Sequence, residues 1–522
     1  MAMLALFVGA MAQADATSTT AAAKGMPLTL AVCTGAANQA FHLASVNPYV
    51  EAAAVSGMGF CFDIEGYGTA AGSAVRAWPC GLDSKVNEYW KLDPAAGTVS
   101  SLQPETPLCF GIAGAGATAA LAKCTSAAAQ FDVATVTDKK NGTLVHTATK
   151  LCVTMSGAVP QMPPPAPPPP PYPPKNKCPG AQPKPRPPGP APTGSHPCDI
   201  YDSAGGTPCV AAHSMVRALY AKYDGPLYLV RRASDMTTKS IGLLAAGGFA
   251  DAAQQDTFCK GTDCEVRTIF DQSGRGNHLR TGFPGRHSPV DNGVNATKHP
   301  ITISGHSVYG AWFDEGMGYR NDNTSGIAVG QDPESMYAVF GGGHYDDQCC
   351  FDYGNAENKV GASRFDAAGT MEAIYFGSCT SWWAPEAKAK IPKDWHGPYV
   401  MADLEAGMYA GNSSFNPANS PMNDTDFVTA MLKGHICEFS LKAGDAQAGK
   451  LMAKYDGQRN LQHDSRSWNP MRKQGGLILG TGGDNSDRAL GIFYEGAMTT
   501  GYTTAATDDA IQASIVAAGY GK

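Results

Sequence analysis

The sequence predicts an all-β protein with two folded units, an N-terminal β-trefoil and a C-terminal β-sandwich, joined by a proline-rich linker. The chain has 522 residues, enough for two to four domains of about 150 residues each. It contains 60 glycines and 37 prolines but only 16% charged residues, a balance that favours loop-rich β structure over helical bundles. Nineteen of the 38 residues from 160 to 197 are proline, which fits neither a helix interior nor a sheet ladder.

Charge and the N-terminal segment indicate an exported protein. A net charge of -7 and a pI near 5.9 argue against nucleic acid or an anionic membrane as partner. The apolar run Leu4–Met11, followed by Ala12-Gln13-Ala14, predicts a signal peptide over residues 1–14. Fifteen cysteines and five Asn-x-Ser/Thr sequons are typical of the secretory route. We therefore expect the protein outside the cell or in the cell wall.

The proline-rich segment sets the predicted domain boundaries. The trefoil is expected over residues 27–157, the linker over 158–197 and the sandwich over 198–522. In polyproline II geometry the linker reaches on the order of 100 Å, at about 3.1 Å per residue. It is interpreted as a spacer between the two units, although proline-rich tracts also serve as ligands of SH3-type domains.

Three similar segments precede the linker. They begin at Cys61, Cys109 and Cys152, at intervals of 48 and 43 residues. A second element alternates with them, a cysteine followed by an amide and an aromatic residue, which starts at Cys33, Cys80 and Cys124. The order indicates a circularly shifted threefold repeat whose ends must meet. The repeat predicts the bridges Cys61–Cys80, Cys109–Cys124 and, across the seam, Cys33–Cys152.

These segments resemble the ricin-type lectin β-trefoil. That resemblance implies a sugar site in the first repeat made of Asp63, Trp78 and Asn87. An indole stacks on the apolar face of a sugar while a carboxylate accepts its hydroxyl hydrogen bonds. The other repeats have Gly111 and Thr154 in place of the aspartate. A trefoil kept only for folding or spacing is the alternative.

The C-terminal half is dominated by short apolar runs that glycine, asparagine and aspartate interrupt. Met336–Phe340, stopped by three glycines, is typical of a strand. A helix is expected after Thr207 and Pro208, with Thr207 as its N-cap. A terminal helix is expected to start at Thr507 and end at Gly519. The strands between these helices predict the sandwich.

Two places combine acidic side chains with apolar strands. Alternation in Tyr399–Glu405 predicts that Asp403 and Glu405 share one strand face. The apolar run that starts at Gly475 ends in a glycine-rich turn that presents Asp484. Two carboxyls from separate strands fit glycoside hydrolysis. A calcium ligand set or an ordinary turn aspartate is the alternative.

Five ordered motifs resemble the catalytic domain of family 54 glycoside hydrolases, the fungal-type α-L-arabinofuranosidases. They lie at residues 198–201, 207–214, 271–278, 344–357 and 482–486. The resemblance implies a concanavalin-like, jelly-roll β-sandwich and a retaining mechanism that needs no cofactor and no metal. It also implies that Glu405 is the nucleophile and Asp484 the general acid/base.

The resemblance further assigns sugar contacts and disulfides. The implied substrate-binding residues are Asp403, Trp382, Gly483, Cys349, Cys350 and Asn485. The implied bridges are Cys198–Cys209, Cys259–Cys264 and the vicinal pair Cys349–Cys350, which would line the sugar pocket. Distant partners for each cysteine are the alternative, and the pairing of Cys178, Cys379 and Cys437 stays open.

The expected function is a secreted enzyme that removes terminal α-L-arabinofuranosyl groups from hemicellulose- and pectin-type polysaccharides. The lectin unit would bind plant or algal-type cell-wall glycans. A serine hydrolase is disfavoured because Tyr309 replaces the second glycine of a nucleophile elbow around Ser307. A wall-associated carbohydrate-binding protein without catalysis is the remaining alternative.

Overall fold

The structure, a computed structural model, describes most of the chain. It covers residues 26–34, 39, 41–44, 54–57, 60–64, 71–79, 90–93, 95–101, 108–132, 143–155, 192–282, 292–358, 369–380, 383, 385–405, 407–412, 414–436, 438–459 and 471–522. The predicted signal peptide and almost all of the predicted linker lie outside these ranges. Among the described residues, no helix is both long and apolar enough to cross a bilayer.

The N-terminal unit is built from short antiparallel strands. Its strands are β1 (Met26–Ala31), β2 (His42–Ala44), β3 (Ala54–Gly57), β4 (Phe60–Ile64), β5 (Val75–Pro79), β6 (Trp90–Asp93), β7 (Thr98–Ser101), β8 (Leu108–Gly111), β9 (Ala120–Lys123), β10 (Phe131–Asp132), β11 (Val145–His146) and β12 (Cys152–Met155). They form one sheet in the order β10-β11-β12-β1-β5-β4-β3-β2 and a second in the order β6-β7-β8-β9.

Equivalent positions of the sequence repeat fill the core of this unit. The residues that follow the repeat cysteines, Phe62, Phe110 and Val153, are fully buried in one cluster. The rings of Phe62 and Phe110 stack with centroids 4.6 Å apart. The same cluster holds the aromatic residues that end the second element, Phe41, Trp90 and Phe131. The threefold repeat is therefore the pattern that supplies the trefoil core.

Two disulfides and two equivalent amides complete the repeat. Cys33–Cys152 and Cys109–Cys124 are bonded as the repeat predicts, whereas Cys80, the expected partner of Cys61, lies outside the described residues. The Gln39 side chain donates to the carbonyl of Val32 at 2.8 Å, and Gln130 donates to that of Cys124 at 2.8 Å. Each amide thus closes its own turn next to a repeat cysteine.

The C-terminal unit consists of strands with a few short helices. Its elements are α1 (Pro197–Ser203), β13 (Cys209–Ser214), β14 (Tyr228–Arg232), β15 (Thr238–Ile241), α2 (Ala252–Cys259), β16 (Cys264–Ile269), β17 (Leu279–Thr281), β18 (His299–Ile303), β19 (His306–Phe313), β20 (Tyr319–Asn321), β21 (Glu334–Gly341), β22 (Asp352–Ala356), β23 (Glu372–Gly377), α3 (Pro385–Lys388), β24 (Tyr399–Asp403), β25 (Met408–Tyr409), β26 (Phe427–His435), β27 (Glu438–Asp445), β28 (Met452–Gln458), β29 (Gly476–Leu479), β30 (Gly491–Thr500) and α4 (Ala505–Ala518).

Two sheets pack face to face in this unit. One runs β18-β19-β30-β21-β26-β27-β28, with β13 also paired to β30, and the other runs β15-β14-β16-β17-β20-β29-β22-β23-β24-β25. Aromatic side chains from both sheets meet between them. Phe340 stacks on Phe376 at 5.1 Å, and Tyr353 contacts Phe493 at 5.4 Å. The predicted all-β architecture, a trefoil followed by a sandwich, is confirmed.

Two predictions of local structure are wrong. The expected helix after Thr207 is absent, and Cys209–Ser214 instead forms β13, which pairs with β30. The terminal helix ends as predicted at Gly519, which adopts φ 77°, but it begins at Ala505. Its N-cap is Thr504, whose hydroxyl accepts a hydrogen bond from the Thr507 backbone N–H. Threonine is a favoured N-cap residue at either position, and the predicted cap, Thr507, lies inside the helix.

Candidate active site

One row of paired residues crosses the larger sheet and positions the candidate site. From β20 to β24 the row runs through Arg320, Ile478, Gly354, Ala373 and Asp403. Directly paired residues project from the same side of a sheet. The row therefore carries a guanidinium at one end and a carboxylate at the other, with Ile478, Gly354 and Ala373 between them.

Carboxyl groups from three chain segments gather on this face. Asp352 is the first residue of β22, and Glu357 directly follows that strand. Asp403 is the last residue of β24, and Asp484 lies in the turn after β29. Glu405 follows Asp403 by two residues. Asp352, Glu357 and Asp403 are buried, whereas Glu405 and Asp484 are partly exposed. The two candidate catalytic acids are thus the members of the group that reach solvent.

Glu405 does not extend the strand as the alternation predicts. The strand stops at Asp403, and Glu405 takes the left-handed backbone conformation with φ 50°. Its backbone N–H donates to Asp403 Oδ1 at 2.8 Å. The expected shared strand face is therefore wrong, because a local turn rather than strand alternation orients the glutamate. The two carboxyls are nevertheless neighbours.

The pKa of the Glu405 carboxyl lies well above its usual range. Burial is the largest cause, and the charges of Glu357, Asp403 and Asp484 add to it. Arg320 opposes the rise. The charge of Asp484, which comes from a separate segment of the chain, thus acts on the Glu405 carboxyl.

Asp403 and Asp352 form a buried pair beneath Glu405. Burial raises the pKa of Asp403 to about 7, with a further rise from the charge of Asp484. Burial and then the neighbouring Asp403 raise the pKa of Asp352 well above its usual range. Two adjacent carboxylates in a dry site cannot both ionise readily, so the pair holds a proton near neutral pH.

The turn that carries Asp484 is tightly braced. The Ser486 backbone N–H donates to Asp484 Oδ1 at 3.1 Å, and the Gly482 N–H donates to the Ser486 carbonyl at 2.9 Å. Asn485, predicted to contact the sugar, is fully buried with φ 59° and lies 3.3 Å from the Thr481 hydroxyl through its Oδ1. Its position supports the turn from inside.

Arg320 connects this turn to the acids, and sequence reasoning missed it. Its guanidinium donates to the carbonyls of Gly483 and Glu357 and, at 2.6 Å, to Asp322 Oδ1. Arg320 is only 3% exposed. Its strand has three residues and no motif, and only pairing with β29 brings it into the row. Asp352 and Glu357 were also missed as members of the site, although both lie in the matched 344–357 motif.

A vicinal disulfide forms one side of the site. Cys349 and Cys350 are bonded to each other, as the resemblance implies, and so are Cys198–Cys209 and Cys259–Cys264. Cys350 Sγ lies 3.8 Å from Asp403 Oδ2 and 3.9 Å from the Ser486 hydroxyl. Among the described residues, Cys349, Cys350 and Asp403 have potential ligand atoms close enough together to bind one metal ion. The two sulfurs are joined in a disulfide and offer no thiolate.

Aromatic side chains surround the disulfide. Trp383, Tyr399 and Trp395 pack in the same cluster as Cys349 and Cys350. Trp382, predicted to contact the sugar, lies outside the described residues, next to the buried Trp383. Of the three open cysteines, Cys178 and Cys437 are also outside them, while Cys379 is buried.

The candidate lectin site is only partly described. Backbone pairing places Asp63 on β4 opposite Arg76, and Trp78 on β5 opposite Cys61. Asp63 and Trp78 therefore lie on neighbouring strands. Their side chains and all of Asn87 are outside the description, so this site stays a prediction.

Comparisons with known proteins agree with the two-unit architecture. Residues 197–521 match the family described as "Alpha-L-arabinofuranosidase B, catalytic", and residues 12–131 match the ricin-type β-trefoil lectin domain. A β-sandwich unit with a carboxylate cluster is thus preceded by a lectin-type trefoil. Since the first match spans more than half of the sequence, the chain belongs to the α-L-arabinofuranosidase B catalytic family.

Several fungal proteins are similar over the same region. A probable α-L-arabinofuranosidase B of Aspergillus fumigatus is 50% identical over 329 residues, 62% of this chain and 62% of that protein. An arabinofuranosidase/β-xylosidase of Trichoderma koningii is 49% identical, over 62% of this chain and 63% of that protein. The match thus spans less than two thirds of these curated relatives.

Solved structures share the fold of this region. A family 54 α-L-arabinofuranosidase in which glutamine replaces a glutamate, soaked with 4-nitrophenyl α-L-arabinofuranoside, is 44% identical with a TM-score of 0.58. The similarity covers 62% of this chain and 66% of that one. An arabinofuranosidase complexed with arabinofuranosyl-α-1,2-xylobiose is also 44% identical, with a TM-score of 0.57 over 62% of this chain and 65% of that one.

An added side chain at Gly483 would crowd the turn that carries Asp484. A Cβ there would lie 2.1 Å from Glu357 Oε2 and 2.6 Å from the sulfur of Met371. We expect Gly483→Ala to lower the free energy of unfolding of the C-terminal unit by about 1–3 kcal/mol, as overpacking does. Denaturant unfolding followed by tryptophan fluorescence measures the change.

Gly343→Ala is the matched control, because a Cβ at Gly343 meets nothing within 4 Å. Its unfolding free energy should stay within about 0.5 kcal/mol of the parent value, as at ordinary surface sites. Equal stability of the two variants would contradict the close packing of Glu357 on the turn.

Proposed function

We propose that the chain is a secreted α-L-arabinofuranosidase of the retaining type. It would remove terminal arabinofuranosyl groups from hemicellulose- or pectin-type polysaccharides. The observation that carries the proposal is the group of carboxyls brought by β22, β24 and the turn after β29, of which Glu405 and Asp484 are the partly exposed members. The fungal relatives named as arabinofuranosidases support the choice of sugar.

Glu405 is assigned as the nucleophile. Its left-handed backbone conformation and its hydrogen bond to Asp403 Oδ1 fix the direction in which the side chain leaves the sheet. In the first step a Glu405 oxygen bonds to C1 of the arabinofuranosyl group while the bond from C1 to the leaving oxygen breaks. Arg320 favours the ionised form that this attack needs.

Asp484 is assigned as the general acid/base. It donates its proton to the leaving oxygen in the first step. In the second step it takes a proton from a water molecule, whose oxygen attacks C1 and releases Glu405. The hydrogen bond from the Ser486 N–H to Asp484 Oδ1 orients this carboxyl within the turn.

The remaining assignments concern the sugar-binding surface. Asp403, Trp382, Gly483, Cys349 and Cys350 are proposed to contact the arabinose. Asp403 lies beside Glu405, and the disulfide lies beside Asp403, which supports this. Asn485 would act from inside the turn, since it is fully buried. The trefoil would hold the enzyme on cell-wall glycans.

Replacing Glu405 by Gln should abolish hydrolysis of 4-nitrophenyl α-L-arabinofuranoside, with kcat falling by at least about 10⁴-fold, because an amide cannot form the covalent ester. Release of 4-nitrophenol measures the rate. The control is Glu386→Gln, an exposed residue of α3, which should keep the parent activity.

Parent-like turnover by Glu405→Gln would refute the assignment of the nucleophile. A parent protein that cleaves no arabinofuranoside while it still binds wall polysaccharide would favour the non-catalytic lectin alternative.

The stereochemical course tests the retaining mechanism separately. Two successive displacements at C1 preserve the α configuration, so the first sugar released should be α-arabinofuranose. Proton NMR at early reaction times distinguishes it from the β anomer before mutarotation. Initial release of the β anomer would mean a single displacement and an inverting enzyme.

The lectin role has its own test. Trp78→Ala should weaken retention of the protein on immobilised arabinoxylan or galactan, because the stacking indole is lost and aromatic contacts of this kind contribute on the order of 1 kcal/mol. Affinity electrophoresis in gels with and without polysaccharide measures the change. Val32→Ala, which alters a 70% exposed side chain of the same unit, is the control. Equal retention of both variants would favour a spacer.

A further inference from the structure

Arg320 is a buried guanidinium whose hydrogen bonds the proposed mechanism does not yet use. It is 3% exposed and lies on β20, beside β29, the strand that leads into the Asp484 turn. Its Nε atom donates to Asp322 Oδ1 at 2.6 Å, and its two terminal nitrogens donate to the carbonyls of Gly483 and Glu357. All three nitrogens of the guanidinium are therefore bonded to acceptors of the site.

The two carbonyls belong to segments on the far side of β20 in the sheet. Strand β29 lies between β20 and β22, so Arg320 reaches across it to Glu357, which directly follows β22. The Glu357 carboxyl in turn packs on Gly483, where a Cβ would lie 2.1 Å from Oε2. The residue before Asp484 is thus held through its carbonyl by Arg320 and packed at its Cα by Glu357.

The Gly483 carbonyl determines how the chain enters Asp484. This carbonyl and the Asp484 N–H belong to one planar peptide group, so a donor bound to the oxygen fixes the orientation of that plane. Gly482 and Gly483 have no side chains with which to restrain the turn, and glycine has the most conformational freedom of all residues. The entrance of the turn therefore depends on contacts from outside it.

The exit of the turn is held separately, on the disulfide side. The Cys350 N–H donates to the Ser486 carbonyl at 3.1 Å, and the Ser486 N–H donates to Asp484 Oδ1 at 3.1 Å. Loss of the Arg320 hydrogen bonds would therefore release the entrance while the exit stays bound. The expected result is a displaced Asp484 carboxyl in a turn that is still formed.

We propose that Arg320 is a positioning residue that holds the Asp484 carboxyl at the leaving oxygen by anchoring the Gly483 carbonyl. The proposal rests on the proposed function, because it requires Asp484 to be the general acid/base. In the step concerned, the proton of Asp484 passes to the leaving oxygen as the bond from C1 to that oxygen breaks. Arg320 acts through the turn and need not touch the substrate.

A displaced Asp484 affects leaving groups unequally. A sugar alkoxide is a strong base and leaves only with a proton, whereas 4-nitrophenolate is a much weaker base and leaves with little proton transfer. Displacement of a catalytic group by about 1 Å costs on the order of 10²-fold in rate. A loss confined to substrates with a sugar leaving group is therefore the mark of a misplaced acid, and a general loosening of the site would slow both kinds alike.

The experiment measures kcat/KM of Arg320→Lys on 4-nitrophenyl α-L-arabinofuranoside and on arabinofuranosyl-α-1,2-xylobiose, the ligand of a solved relative. Lysine keeps the positive charge but lacks the planar fork that bonds several acceptors at once. We expect a loss of about 10²-fold on the xylobiose substrate and of less than about 10-fold on the nitrophenyl substrate. Equal losses on both substrates, or parent values on both, would overturn the proposal.

Asp484→Asn separates failure of this proposal from failure of the proposed function. Asparagine cannot donate the proton, so this variant should lose far more kcat/KM on the xylobiose substrate than on the nitrophenyl substrate. Equal losses or none in Asp484→Asn contradict the assigned acid/base and with it the proposed function. A selective loss in Asp484→Asn that is missing from Arg320→Lys contradicts only the role of Arg320.

Arg217→Lys is the matched control. Arg217 is 5% exposed, and its guanidinium donates to Glu495 of β30, in the other sheet, at 2.6 and 2.7 Å. Any loss of activity in this variant should be equal on the two substrates. A selective loss in both arginine variants would show a general effect of weakening the sandwich and would overturn the proposal.

Asp322→Ala decides the matter if Arg320→Lys does not fold, as thermal unfolding establishes. It keeps the guanidinium but removes the acceptor of Nε, so a smaller loss in the same direction is expected on the xylobiose substrate. A folded Asp322→Ala with equal losses on both substrates would overturn the proposal. Failure of both variants to fold would assign Arg320 to folding instead of positioning and would overturn it as well.

Discussion

The crowding of carboxyl groups around the Arg320 guanidinium is the constraint on which the candidate site depends. Arg320 lies in the same sheet row as Asp403, with Ile478, Gly354 and Ala373 between them. Its hydrogen bonds hold the carbonyls of Gly483 and Glu357. One side chain thus fixes the backbone that carries Asp484 and supplies positive charge to Glu405. Loss of the guanidinium would remove both effects together.

The backbone of the site departs from regular strand geometry where the acids emerge. Glu405 at φ 50° and Asn485 at φ 59° occupy the left-handed region, which costs a residue other than glycine on the order of 1–3 kcal/mol. Each is held by a local hydrogen bond, from Glu405 N–H to Asp403 and from Asn485 N–H to the Gly482 carbonyl. Such strain at functional positions is tolerated because the surrounding sheet determines the conformation.

The sequence predicted the features that depend on local or repeated patterns. The trefoil repeat identified its core and two of its bridges, and Gly519 marked the end of α4 because only glycine adopts that turn easily. The Thr207 helix was wrong because pairing of Cys209–Ser214 with β30, nearly 300 residues later, outweighed the local cap signal. Arg320 could not be foreseen, since its role arises from strand register alone.

Buried acids of the sandwich fall into two electrostatic kinds. Burial by itself raises the pKa of Glu372 and Asp508, yet two cations contact each of them and the net shift is downward. In the site, Glu357 and Asp403 have pKa values raised to about 7, so between about pH 4 and 7 the folded chain binds more protons than the unfolded chain. Their contribution to stability is therefore complete below about pH 4 and declines as the pH rises to 7. Glu372 and Asp508 are each contacted by two cations, whereas Arg320 is the cation named for Glu405 beside three carboxyls, and the pKa of Glu405 stays raised.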